Sequence, residues 1–263
     1  MNNKMDIVGM INSGLVSKQI VSFLLVLLRT SIFMSIIPLF SSKNSPAQFK
    51  LAIAVALAFV LTPIVQFEIT PESFFTLIVR EIILSMLLGS AVRFIFVAVN
   101  MAGQMMSNGM ALSIATSFDP EFGQSAEISR LLGILVTLLF FAVNAHHDLI
   151  YIFAKSFEIL PPGQLNINNL MINAIFGGFK VFVLAIKIGA PVMIVMVVLN
   201  FLLGFLYKAS PQINIFFVSF PLFIMVGLMV MMLSIPTFYN VMINAIEDMK
   251  YEMHNVLKLG KVK

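Results

Sequence analysis

Few residues in this sequence have types and spacing that could do chemistry. The pair His146-His147 followed by Asp148 is the best candidate for holding a metal ion. Adjacent helical residues point about 100° apart, whereas a two-histidine site needs i, i+4 spacing to aim both rings at one ion. Interfacial packing or hydrogen bonding is the simpler use of the pair, and the expectation is no metal and no cofactor. Glu81 is the only clear carboxylate inside an apolar segment, and its neighbour Arg80 points to a salt link, made locally or with a partner. A proton relay ordinarily wants more carboxylates than that. Asp119 and Glu121, in the stretch DPEFGQSAE, would be costly to bury unpaired. The sequence has no G-x-S-x-G elbow, no H-E-x-x-H pair and no P-loop, so no enzyme is expected.

The elements that must position these residues are set by composition. Of 263 residues, 60% are hydrophobic and 11% charged, against roughly 25% charged in an ordinary soluble domain. No charge lies between Lys50 and Glu68, Arg93 and Asp119, Lys187 and Lys208, or Lys208 and Glu247. About 20 uncharged apolar residues span the ~30 Å hydrocarbon core as a helix. Closed barrels need alternating apolar and polar residues, which LAIAVALAFVL and VMIVMVVLNFLLGFL lack. The fold class expected is all-α: a polytopic membrane protein with about six long, kinked hydrophobic segments, folded as helical hairpins within a larger assembly.

Those segments are roughly 19–40, 47–67, 74–99, 131–153, 172–207 and 213–246. Between the third and fourth, residues 100–130 are polar-leaning, and Pro161-Pro162-Gly163 separates the fourth from the fifth. The expected organisation is one subunit, 1–263, with an amino-terminal helical part, 1–169, and a carboxy-terminal hairpin with tail, 170–263. Pro191, Pro221 and Pro236 predict kinks. The opening residues, with Lys4, Asp6 and Lys18, predict a retained first helix and no cleavable signal. No cysteine is present, so there is no disulfide framework, and the net charge of +4 forms no dense basic patch, which argues against nucleic acid.

Topology conflicts with this plan. A six-span reading with Lys43, Lys50 and Lys208 on the cytoplasmic side leaves the lysine-rich tail outside, against the positive-inside rule. Lys180, Lys187, Arg80, Glu81 and Arg93 also fall in or near the hydrocarbon. Steep tilt with snorkelling accounts for this; so does cover by other protein subunits.

Two stretches invite functional readings. Met101, Met105, Met106 and Met110 lie on neighbouring turns, and flexible thioethers could line or seal a conduit; they equally fill irregular gaps between helices. Lys208, Pro211, Gln212 and Asn214 form a turn in which the amides could cap backbone groups and the lysine could dock a neighbouring subunit; a plain hairpin turn is the alternative.

Three clusters carry a family resemblance. In MAGQMMSNGMALSIATSFDP, Gly103, Gln104, Gly109, Ala115, Asp119 and Pro120 are similar to a G-x-x-x-x-x-G pattern followed by Asp-Pro. In NAHHDLIYIFAKSFEILPPG, the matches are His146, His147, Ser156, Phe157, Pro161 and Gly163. In LGFLYKASPQINIFFVSFPLFIMVGL they are Leu203, Gly204, Lys208, Pro211, Gln212, Asn214, Phe220, Pro221, Gly227 and Leu228. Arg29 and Pro38 add an amino-terminal match. Together these resemble the FliR family of flagellar and related type III secretion export gates, over almost the whole chain. Two departures are Lys208, where Arg is common, and Asn144-Ala145, where Gly is frequent.

The resemblance implies a single-copy subunit of the bacterial inner membrane, in the flagellar basal body. It would join other small export-gate membrane subunits and an export-switch membrane subunit around a conduit for unfolded protein substrates. It also places a plug within 110–129, comprising Met110, Ser117, Phe118, Asp119, Pro120, Glu121, Phe122 and Gly123. An ordinary solvated loop is the alternative for that stretch. For the whole chain, a small-molecule secondary transporter or a membrane scaffold remains open; a transporter would usually show matching breaks in two similar halves, which are not visible.

Overall fold

The computed structural model describes residues 15–38, 46–63, 74–112, 127–161, 167–210, 212 and 214–260. Among these, every regular element is helical. In chain order they are α1 (Leu15–Ile36), α2 (Ala47–Leu61), α3 (Phe74–Gly109), α4 (Glu127–Ala142), α5 (Ala145–Ile159), α6 (Ile167–Ala209), α7 (Ile215–Leu233) and α8 (Ile235–Leu259).

The chemistry of the punctuating residues explains the ends. α2 begins after Pro46, whose carbonyl accepts from the Phe49 amide at 3.0 Å. It closes where the Thr62 amide and hydroxyl both donate to the Ala58 carbonyl, at 2.9 and 2.6 Å, just before Pro63. α5 stops short of Pro161-Pro162. Between α4 and α5 the chain turns at Asn144, whose φ is +55°. Asparagine tolerates this left-handed conformation better than most side chains do.

The three prolines expected to kink helices take different places. Pro191 and Pro221 lie inside α6 and α7, which continue through them. Of the three prolines only Pro236 adjoins a break, at Ser234, and it takes the second position of α8, where the absent amide N–H costs nothing. α3 also runs to Gly109 rather than ending near residue 99.

Among the described residues three helices are long and apolar enough to cross a membrane: Gln19–Ile36, Phe75–Gly109 and Phe176–Ala209. Two bent pairs, α4 with α5 and α7 with α8, raise the number to as many as five if each is one span. Among the described residues the six apolar segments are helical, and by length and composition they offer at most five crossings. α2 is the clearest case, because 15 residues reach only about 22 Å against a core of ~30 Å.

The chain divides into two packed units. The first comprises Met1–Arg93, His146–Phe176 and Met249–Lys263, the second Phe94–Ala145 and Gly177–Asp248. In the first, Phe33 of α1 stacks on Phe153 of α5 with centroids 4.1 Å apart, and Phe153 meets Phe157 edge to face at 5.4 Å. Ile36 of α1 presses on Gly89 of α3, where an added Cβ would lie 2.9 Å from its side chain. In the second unit small residues set the helix separations, as is usual in membrane packing. Gly103 of α3 touches the Ser129 backbone of α4, and Gly177 of α6 takes the Phe94 ring of α3.

Candidate functional site

Two groups of polar residues stand out from the apolar background, one in each unit. The first centres on Arg29 of α1, which has no solvent exposure, and Glu81 of α3, which is 2% exposed. The Arg29 Nε donates to Glu81 Oε2 at 2.6 Å and its Nη2 donates to Oε1 at 2.9 Å, a bidentate fork. Nη1 donates to the carbonyl and hydroxyl oxygens of Ser156, at 3.2 and 3.3 Å. Nη2 also reaches the Leu160 carbonyl at 3.1 Å. A guanidinium has five N–H donors, and these contacts account for all of them.

The node extends beyond the ion pair. Ser156 Oγ donates to the Phe153 carbonyl at 2.6 Å, and Ser85 Oγ donates to the Glu81 carbonyl at 2.6 Å. The guanidinium carbon lies 4.3 Å from the Phe157 ring centroid, a cation–π contact strengthened by the dry setting. Because Ser156 and Leu160 sit at the end of α5, Arg29 caps that helix with positive charge where its dipole is negative. Lysine could not supply this fork, having one nitrogen and no plane.

The structure pairs Glu81 with Arg29, a cation that the sequence reading did not name as its partner. Successive helical side chains diverge by about 100°, so Glu81 turns inward to a cation 52 residues away. The family resemblance had singled out Arg29, Ser156 and Phe157 separately; the structure brings them together.

The second group lies on the carboxy-terminal half of α3, in the other unit. Ala98, Val99, Ala102, Gly103, Met106 and Met110 are buried along one side. Val97, Asn100, Gln104 and Asn108 are exposed along the opposite side, at helical spacing. Gln104 Nε2 donates to Asn100 Oδ1 at 2.8 Å along this stripe. From α4, Ser129 Oγ donates to the Asn100 carbonyl at 3.0 Å, and the Gly103 contact fixes the separation of the two helices.

The four methionines divide by orientation. Met106 and Met110 are 3% and 0% exposed, while Met101 and Met105 are half-buried beside the amide stripe. Met110 lies over Gly227 of α7, where a Cβ would come within 2.6 Å of its side chain. The chain after it turns through Ala111 at φ +58°. Of the eight residues named for the plug, Met110 is among the described residues; Ser117, Phe118, Asp119, Pro120, Glu121, Phe122 and Gly123 lie outside them.

Lys208, in the last turn of α6, and Gln212 and Asn214, before α7, are exposed, and Pro211 lies outside the described residues. Asn214 occupies the N-cap position of α7, but its side chain makes no capping bond. Its carbonyl instead accepts from the Phe217 amide at 3.2 Å, so the expected amide cap at this residue is not formed. The rings of His146 and His147 lie 4.1 Å apart, tilted by 50°, and no group of three metal-ligating side chains occurs among the described residues. Asp148 pairs instead with Lys250 of α8, in the same unit and partly exposed.

The long apolar helices, the sealed ion pair and the outward amides define a multi-pass, all-α membrane protein. Residues 20–249 match the family described as bacterial export proteins, family 1. The flagellar biosynthetic protein FliR of Escherichia coli K12 is 32% identical over 215 residues, covering 80% of this chain and 82% of that protein. That of Bacillus subtilis 168 is 30% identical over 254 residues, covering 90% and 95%. That of Buchnera aphidicola from Acyrthosiphon pisum is 29% identical over 239 residues, covering 88% and 92%. The chain belongs to the FliR family and is a membrane component for flagellar biosynthesis and protein export.

Proposed function

We propose that this chain is a structural and gating subunit of the flagellar export gate in the inner membrane, helping to form and close the conduit for unfolded substrates. The observation that carries the reading is the match to bacterial export proteins over residues 20–249. The carboxy-terminal half of α3 agrees with it, because it turns uncharged amides and two thioethers outward in a chain otherwise rich in apolar surface. Met101 and Met105 contribute flexible side chains to the conduit wall. Met106 and Met110 support that wall from behind, Met110 by seating on Gly227. Lys208, Pro211, Gln212 and Asn214 form an edge for a neighbouring small gate subunit or for the export-switch subunit. Organisation into an amino-terminal part, 1–169, and a carboxy-terminal hairpin, 170–263, belongs to the same proposal.

Closure falls to 110–129, which is too polar at SFDPEFGQSAE to rest in lipid. A conduit at rest must hold the ion gradient, and the resemblance puts the plug here. Deleting residues 117–124 is expected to leave the complex assembled, by co-purification of its subunits, and to make cells leaky to ions and small dyes. An assembled deletion complex as tight as the intact one would overturn the assignment.

A further inference from the structure

The exposed surface of the second unit is not uniform. α7 exposes mainly hydrocarbon, as at Met225, Met229 and Met232, and α6 exposes Ile194, Val197 and Phe201 around an exposed Asn200 whose amide donates to the Met196 carbonyl of its own helix at 2.8 Å. α8 exposes Asn240 and Asn244, but next to the charged Glu247 and Asp248. α3 in the same unit exposes Asn100, Gln104 and Asn108 with Val97, and half-buries Met101 and Met105 beside them. Amides placed in lipid would lose their hydrogen bonds to water at a cost of kilocalories each. Their surroundings in the assembled protein must therefore supply donors and acceptors. The stripe carries no charge, since none lies between Arg93 and Asp119.

We infer that Asn100, Gln104 and Asn108 form a contact track for the main chain of an extended polypeptide in transit. The inference rests on the export reading and names which face of the chain meets the substrate. The occupant follows from the chemistry. A carboxamide offers two donors and an acceptor, the same groups a peptide bond presents, so it pairs with any main chain whatever its side chains. The spacing of four residues sets successive amides about 6 Å apart along the helix, close to the ~6.6–6.8 Å between every second residue of an extended strand. Met101 and Met105 flank the track with side chains that adapt to many shapes. Absence of charge keeps acidic and basic segments from sticking. Packing holds the track in orientation: Gly103 lies against Ser129, and Ser129 binds the Asn100 carbonyl.

The chain contains no cysteine, so single substitutions give unique thiols. Asn100→Cys, Gln104→Cys and Asn108→Cys are compared with Val197→Cys and Phe201→Cys in the assembled export complex. The probe is an export substrate fused to a domain that cannot unfold, carrying one cysteine in its stalled, unfolded stretch, with a bismaleimide to bridge thiols. The inference expects a bridged product from the three α3 positions at least about tenfold above that from α6. Bridging from α3 only to another gate subunit would overturn it and identify the stripe as an interhelical seam. Equal or no bridging from all five positions, in complexes that assemble and hold the stalled substrate, would also overturn it. If the 117–124 deletion leaks while α3 yields no product, the track fails and the gate reading stands. If the deletion is tight yet α3 bridges the substrate, the plug fails and the track stands.

Discussion

The Arg29 node and the α3 amide stripe are both polar groups in a mostly apolar chain, yet they end in opposite conditions. Arg29 spends all five donors inside its own unit, on Glu81, Ser156 and Leu160. Asn100, Gln104 and Asn108 face outward, with one bond among their side chains, between Gln104 and Asn100. A polar residue satisfied within the chain ties helices together. One that faces outward leaves hydrogen-bonding capacity that the described residues do not use. Charge follows the same division. The node holds a full ion pair, which only a closed, well-matched cage tolerates, while the stripe holds neutral amides that an open face can present at little cost.

Breaking the node should have the largest effect. Arg29→Leu strands the Glu81 carboxylate among apolar side chains and uncaps α5, and leaving a buried charge unpaired costs about 3–5 kcal/mol. The expected result is loss of assembled complex from the membrane, measured by abundance and by thermal unfolding in detergent. Arg29→Leu combined with Glu81→Leu should recover part of the loss, because no charge is then stranded. A double variant as unstable as the single one would show that the carbonyl contacts at Ser156 and Leu160 matter more than the ion pair.

A smaller effect is expected where the stripe is positioned. An added Cβ at Gly103 would lie 2.5 Å from the Ser129 Cα, which is backbone and cannot swing aside. Gly103→Ala should destabilise by about 1–3 kcal/mol through overpacking. Gly133, on α4 with open space around it, is the control: Gly133→Ala should be neutral or mildly stabilising, since alanine favours helix by up to about 1 kcal/mol. Similar thermal shifts for the two variants would remove the close α3–α4 approach from the account.

The sequence showed one of these regions more readily than the other. Uncharged runs located all six apolar segments, because length and hydrocarbon content suffice to make a helix in lipid. They did not reveal that Glu81 turns to Arg29, because local spacing carries no information about a partner 52 residues away. Resemblance marked Arg29, Ser156 and Phe157 without saying why they matter. The stripe was legible in principle. Val97, Asn100, Gln104 and Asn108 keep helical spacing across residue 100, but the change to Gly, Ser, Met and Gln composition reads as an interruption. Polar residues on one face do not end a helix. Asn144 shows the converse, a break without proline at a φ of +55°, which the apolar pattern on either side does not announce.

The central claim is that the outward amides of α3 face the conduit while the apolar face of α6 does not. It is tested most directly by the ion leak through complexes lacking 117–124. With a single cysteine at Gln104, a water-soluble methanethiosulfonate reagent should attach to the thiol and cut that leak severalfold, while the same reagent on Val197→Cys should leave it unchanged. A leak that persists undiminished in the Gln104→Cys complex, or falls equally in the Val197→Cys complex, would contradict the account.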